Sequence, residues 1–244
     1  MKHSKFWRDR RTFLFSSMSA IFTIGTSKAV SAEDCSANRI TELKDHCLDI
    51  LKDIASTIQT AQSLDEAAWN KAQAAIEPSY NCAKGAYDLG KALFADCNPS
   101  SPAVNPAACI ETLVGVPDTI SACEDAIALV HEAWSLYEQA AFIFGTADVA
   151  FYDQGGGEIV EELDRCGESN CAQLSRAVTD YARRNQERTL RNRDRLRDYE
   201  KSLQNVQKSL EGCQNDPASC TEIPEHAFPG LEPANESPPE ISLQ

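Results

Sequence analysis

SNCAQLSRAVTDYARRNQERTLRNRDRLRDYEKSLQNVQKSLEG, residues 169–212, holds no proline and no glycine before its final position. Apolar residues recur three and four apart at Leu174, Val178 and Tyr181, and resume at Leu196, Tyr199, Leu203, Val206 and Leu210. That period is helical, so the stretch predicts one helix of 44 residues, ~66 Å long at 1.5 Å per residue. Its seam turns polar in the middle, where Asn185, Thr189 and Asn192 take the positions that should face a neighbour. Either the middle projects into water or buried amides fix its register against another helix, and the polarity favours projection.

The same signature runs outward from this segment. Ile40, Leu43, Cys47, Ile50, Ile54, Ala61 and Leu64 form one heptad stripe, with Thr57 filling the gap. A second runs from Ile120 through Cys123, Ile127, Val130, Trp134, Tyr137, Ala141 and Phe144 to Phe151, with Pro117 and Asp118 as its start signal and Gly155-Gly156-Gly157 as its end. Between them, Asp65 reads as the cap of a segment bearing Trp69, Ala72 and Ile76, and Pro78 as a kink or turn before Ala83, Ala86, Leu93 and Phe94. A short helix should open at Asn105-Pro106 and close at Gly115. No stretch alternates with period two. The fold class is therefore all-α: a disulfide-stapled helical bundle with heptad-patterned long helices and one extended coiled-coil-like helix.

Ten cysteines supply the staples. Cys82 and Cys97 are 15 apart, Cys109 and Cys123 are 14 apart, and Asn98-Pro99-Ser100-Ser101-Pro102 begins the turn between them. Arms of nearly equal length fit an antiparallel hairpin that joins Cys97 to Cys109 and Cys82 to Cys123. Cys166 and Cys171 flank a short loop they could close. Cys35, Cys47, Cys213 and Cys220 either pair across the first and last helices or pair locally as Cys213–Cys220 and Cys35–Cys47; the last fails if that interval is helical, since 12 residues of helix span ~18 Å. Copper binding by the cysteines is a weaker alternative, because no two are three or four residues apart and the only methionines are Met1 and Met18.

The first 32 residues read as an export leader. A basic start (Lys2, Lys5, Arg8) leads to Arg10-Arg11-Thr12-Phe13-Leu14, a short apolar run, and the small-residue site Val30-Ser31-Ala32. The Arg-Arg-x-Phe-Leu core resembles a twin-arginine signal peptide, although Asp9 and Phe15 depart from the flanking pattern. The resemblance implies export to the periplasm or beyond, a compartment in which disulfides persist. The organisation that follows is a cleaved leader over 1–32, a helical domain over 33–220, and a tail over 221–244 with five prolines, five glutamates and neither lysine nor arginine, which predicts disorder.

Charge narrows the partners. Against 23 Lys and Arg the chain sets 37 Asp and Glu, a net −14, which argues against nucleic acid and anionic membrane surfaces. One region runs against this balance: residues 176–201 carry nine bases and five acids. Within it Arg184, Arg188, Arg191 and Arg195 fall within about 60° of one another on a helix. The stripe either neutralises the protein's own acids or forms a recognition face for an acidic protein or polymer, since guanidinium forks suit carboxylates. No nucleophile elbow, phosphate loop, calcium loop or Glu-x-x-His pattern is present, and His46, His131 and His226 sit beside the stripes or in the tail. No catalytic residue, cofactor, metal or membrane span is assigned. The expected function is a non-catalytic exported binding or accessory protein of the bacterial envelope; the alternatives are an envelope enzyme or enzyme inhibitor, and copper binding.

Overall fold

The computed structural model describes residues 35–242, so the leader assigned to 1–32 lies outside them. The described residues contain no strand and five α-helices: α1 (Ala37–Cys97), α2 (Pro106–Val114), α3 (Val116–Asp153), α4 (Gly156–Arg165) and α5 (Asn170–Asn215). Three are long. At 1.5 Å per residue α1, α3 and α5 span ~92, ~57 and ~69 Å.

Cross-links and side-chain contacts give their directions. Lys71 meets Glu132 and Cys82 meets Cys123, so α1 and α3 are antiparallel. Trp134 meets Glu200 and Gly145 lies against Gln186, so α3 and α5 are antiparallel too. Cys47 joins Cys171 and Asp65 pairs with Arg188, which sets α1 parallel to α5. The result is a three-helix bundle with α2 and α4 packed at its two ends.

The turn expected as one outcome at Pro78 does not form: α1 runs through the proline without interruption. A proline inside a helix removes one backbone hydrogen bond and costs ~3 kcal/mol in a free helix. Here the carbonyl it orphans belongs to Ala74, on the exposed face, where water can satisfy it. The buried positions keep a spacing of three and four straight across the site, from Ala68, Ala72 and Ala75 through Ser79 to Cys82 and Ala86. Many of these are alanines, and α3 answers with Ala126, Ala133, Ala140 and Ala147, small side chains that let the axes approach closely. Asp65 likewise caps nothing: it is interior to α1, on the buried stripe.

Five disulfides brace the ends: Cys35–Cys166, Cys47–Cys171, Cys82–Cys123, Cys97–Cys109 and Cys213–Cys220. The hairpin geometry anticipates Cys82–Cys123 and Cys97–Cys109. The local Cys166–Cys171 loop, the local Cys35–Cys47 pair and the pairing of Cys35 and Cys47 with Cys213 and Cys220 are all corrected. The interval from Ala37 is helical, which carries Cys35 and Cys47 too far apart to bond, and the α4–α5 turn lies beside the start of α1, not beside the end of α5. No helix among the described residues is long and apolar enough to cross a membrane. Several disulfides together with that property are compatible with an extracellular or periplasmic protein.

The apolar interior is divided in two. One cluster joins Leu43, Ile50, Leu51, Ile54 and Ile58 of α1 to Phe144 and Phe151 of α3, Leu163 of α4, and Val178 and Tyr181 of α5. The other joins Leu93 to Val116, Val130 and Tyr137 and to Leu196, Leu203, Val206 and Leu210. Asp65, Asn185, Thr189 and Asn192 are buried between the two sets along the chain. The expected projection of the α5 middle into water is thus overturned; its amides are inside.

Candidate functional site

The polar layer continues outward into the arginine stripe, and the tail lies over both. After Cys213–Cys220 turns the chain back, residues 221–242 carry no helix or strand and run antiparallel to α5. Ile223 is buried and lies against Gly90 of α1, and Phe228 meets Tyr199 edge to face with ring centroids 5.3 Å apart. Leu231 packs on one apolar cluster and Ile241 on the other. The predicted disorder does not describe these residues, and the reason lies in the same prolines that suggested it. Pro224, Pro229, Pro233, Pro238 and Pro239 fix φ near the extended range, which lowers the entropy cost of laying the segment down as a strap.

Each arginine of the stripe has an internal partner. Arg184 donates from Nε and Nη2 to Oε2 of Glu236 at 3.1 and 3.0 Å. Arg191 donates to both oxygens of Glu232 at 2.8 to 3.2 Å. Arg195 reaches the same carboxylate at 2.9 Å and also donates to the Gly230 carbonyl at 2.9 Å. Arg188 differs from the other three. Its side chain is 11% exposed and points inward to Asp65 at 2.5 Å, with further donations to Asn185 Oδ1 at 3.1 Å and the Glu232 carbonyl at 3.3 Å.

Backbone recognition accompanies the charge pairing. The buried Asn192 carboxamide donates to the Glu232 carbonyl at 2.8 Å and accepts from the Glu232 N–H at 2.9 Å. It therefore satisfies both backbone polar groups of one extended residue. Tyr181 accepts from Gln62 Nε2 at 2.8 Å and donates its own hydroxyl to the Glu236 carbonyl at 3.3 Å. Burial pushes the Tyr181 phenol above its ordinary pKa, so it remains a donor. Hydrogen bonding from Arg191, supported by the charges of Arg191 and Arg195, holds the Glu232 carboxyl below its ordinary value, and the same bond raises Arg191. A cleft of about 390 Å³ remains beside the strap, lined by Gln62, Asp65, Trp69 and Tyr181 and by Pro233 and Ala234 of the strap itself.

Sequence reasoning found the four arginines but not their partners. Asp65 passed for a cap, Asn192 for a solvated residue, and Glu232 and Glu236 for disordered charge. A signal was present in the tail, where the large apolar residues Ile223, Phe228, Leu231 and Ile241 recur from one end to the other.

The remaining polar groups offer less. Glu200 is buried and meets His131 Nδ1 at 3.4 Å, Trp134 Nε1, and Gln204 Nε2 at 2.9 Å, while Arg197 lies 5.7 Å from the centre of the Trp134 ring. This is one carboxylate shared between two donors of α3 and one of its own helix, not a convergent set of acids with a nucleophile. His46 stands among Glu42, Asp45, Asp49 and Asp53 at the α1 surface. Among the described residues no group of three histidines, cysteines or carboxylates is placed to hold a metal ion. All ten cysteines are paired, which removes the thiolates that copper binding requires. Comparison with protein-family models, with curated proteins and with solved structures returns no match.

Proposed function

We propose that this chain is an exported, non-catalytic binding or accessory protein of the bacterial envelope, and that the α5 arginine face is its contact surface for an acidic partner. The observation that carries this reading is the way Arg184, Arg191 and Arg195 grip two glutamates while Asn192 holds the backbone between them. The face is thereby suited in detail to carboxylates on an extended chain. The leader supports the periplasmic or secreted address, and the disulfides agree with an oxidising compartment.

The test uses Arg184→Glu with Arg191→Glu, whose side chains are 54% and 52% exposed. Arg188 is left alone because a glutamate there would bury a second carboxylate against Asp65. With the strap weakened by Glu232→Gln and Glu236→Gln in both proteins, capture of acidic ligands such as polyglutamate should fall at least tenfold while the helical signal holds. Undiminished capture removes the face from the reading. The twin-arginine route has its own check: such a passenger folds before its disulfides form, so the reduced protein should retain cooperative helical unfolding. A reduced chain without a transition points to the general secretory route.

A further inference from the structure

Resting on that reading, we infer that the groove formed by α5 and the start of the Asp65 layer recognises an extended acidic peptide in one register, and that residues 230–236 occupy it as an internal stand-in for that peptide. Three observations fix the class of partner. Asn192 pairs with both the N–H and the C=O of Glu232, a two-point contact that one residue of a peptide backbone offers. Two carboxylates four residues apart, Glu232 and Glu236, meet Arg191 with Arg195 and then Arg184. The spacing is self-consistent: four extended residues cover ~13 Å and the seven helical residues from Arg184 to Arg191 cover ~10 Å. The backbone carbonyls of Gly230 and Glu236 are bonded as well, to Arg195 and Tyr181, so recognition extends along the whole segment.

The stand-in fits incompletely. Pro233 and Ala234 border the cleft of about 390 Å³ beside Gln62 and Trp69, and the small Ala234 side chain leaves room there. A partner with a larger apolar residue two positions after its first glutamate gains apolar contact that the tail lacks. It can thereby overcome the advantage of a tethered competitor, whose effective concentration is on the order of millimolar. The strap thus sets a threshold: weak acidic peptides stay out, and a peptide that also fills the cleft displaces it.

The experiment uses the full chain with Glu232→Gln and Glu236→Gln, which keep size and every backbone contact while weakening the cis strap. The probe is a fluorescent peptide of residues 226–242, followed by anisotropy. Affinity for the peptide should be at least tenfold higher in this variant than in the wild-type chain, and lost again when Arg191→Glu is added. A peptide carrying Ala234→Leu should bind tighter than the natural one and, in excess over the wild-type chain, strip the Glu232 amide of its hydrogen-exchange protection; this arm does not depend on the variant's folding. Equal affinity in variant and wild type, or no gain from leucine, overturns the inference. Polyglutamate binding without peptide binding overturns it while leaving the acidic-partner reading in place, and binding of neither removes both.

Discussion

Replacing Arg188 by methionine should damage this protein more than any other single change on the arginine stripe. The Asp65 and Arg188 side chains are 7% and 11% exposed, Asp65 Oδ2 accepts from Arg188 at 2.5 Å, and Asp65 Oδ1 is buried with no hydrogen-bond partner. Two unit charges at such separation gain ~7 kcal/mol at an effective dielectric constant of 20. Desolvation of both ions takes back much of that, so the intact pair adds little net stability. Removing the arginine alone is another matter. Asp65 is left charged between two apolar clusters, and Asn185 and the Glu232 carbonyl each lose a donor. The expected loss is about 3–5 kcal/mol, read as a shift in urea midpoint at constant slope with all disulfides oxidised. The double change Asp65→Leu with Arg188→Met should recover to within about 1 kcal/mol of wild type, since a volume-matched apolar pair costs little in a core. A loss below 1 kcal/mol for Arg188→Met, or a double variant no better than the single, would refute the view that the pair is a buried, interdependent unit.

Removing Cys47–Cys171 or Cys35–Cys166 alone should cost about 3 kcal/mol, because the other bond still closes the neighbouring loop, whereas removing both should cost about 8 kcal/mol; the denaturation midpoints of the three variants together test this excess over additivity. Removing Cys213–Cys220, which closes only 7 residues, should cost about 2 kcal/mol and loosen the strap first, seen as faster exchange at Glu232. Docking of the strap should weaken as the medium turns acid. Glu232 has its carboxyl held below the ordinary value by Arg191, so its contribution is complete above that value and is lost as pH falls through the docked one, and protection of the Glu232 amide should fall in the same window. Gly90→Ala should destabilise by about 1–3 kcal/mol despite the ~1 kcal/mol gained in helix propensity, because the new Cβ would stand 2.9 Å from Ile223; in an Ile223→Ala background, itself destabilised by loss of a buried side chain, the same glycine change should instead stabilise, and thermal melts of the four proteins decide it.

Local periodicity carried much of the fold. The α5 segment, the α2 and α3 start signals, and the hairpin disulfides follow from spacing within a few turns, where the helix fixes which residues share a face. Departures arose wherever a residue's role depends on a distant one. Pro78 breaks an isolated helix but not one held on both sides by an unbroken alanine stripe, and Asp65 caps a helix only when no Arg188 waits 123 residues away to bury it. The arginine stripe was legible and its occupant was not, because composition describes a tail's average behaviour and not its fit to a particular surface.

By itself the sequence determined the helical class, the acidic balance with one basic stripe and the supply of cysteines, all properties of single residues or of neighbours a few turns apart. Only the tertiary structure decided that Cys35 and Cys47 pair with Cys166 and Cys171, that the polar middle of α5 lies inside, and that Glu232 and Glu236 close over the arginines. Those outcomes turn on distances between residues 40 to 130 positions apart, which are set when three helices choose a common register and not by any stretch of chain that can be read alone.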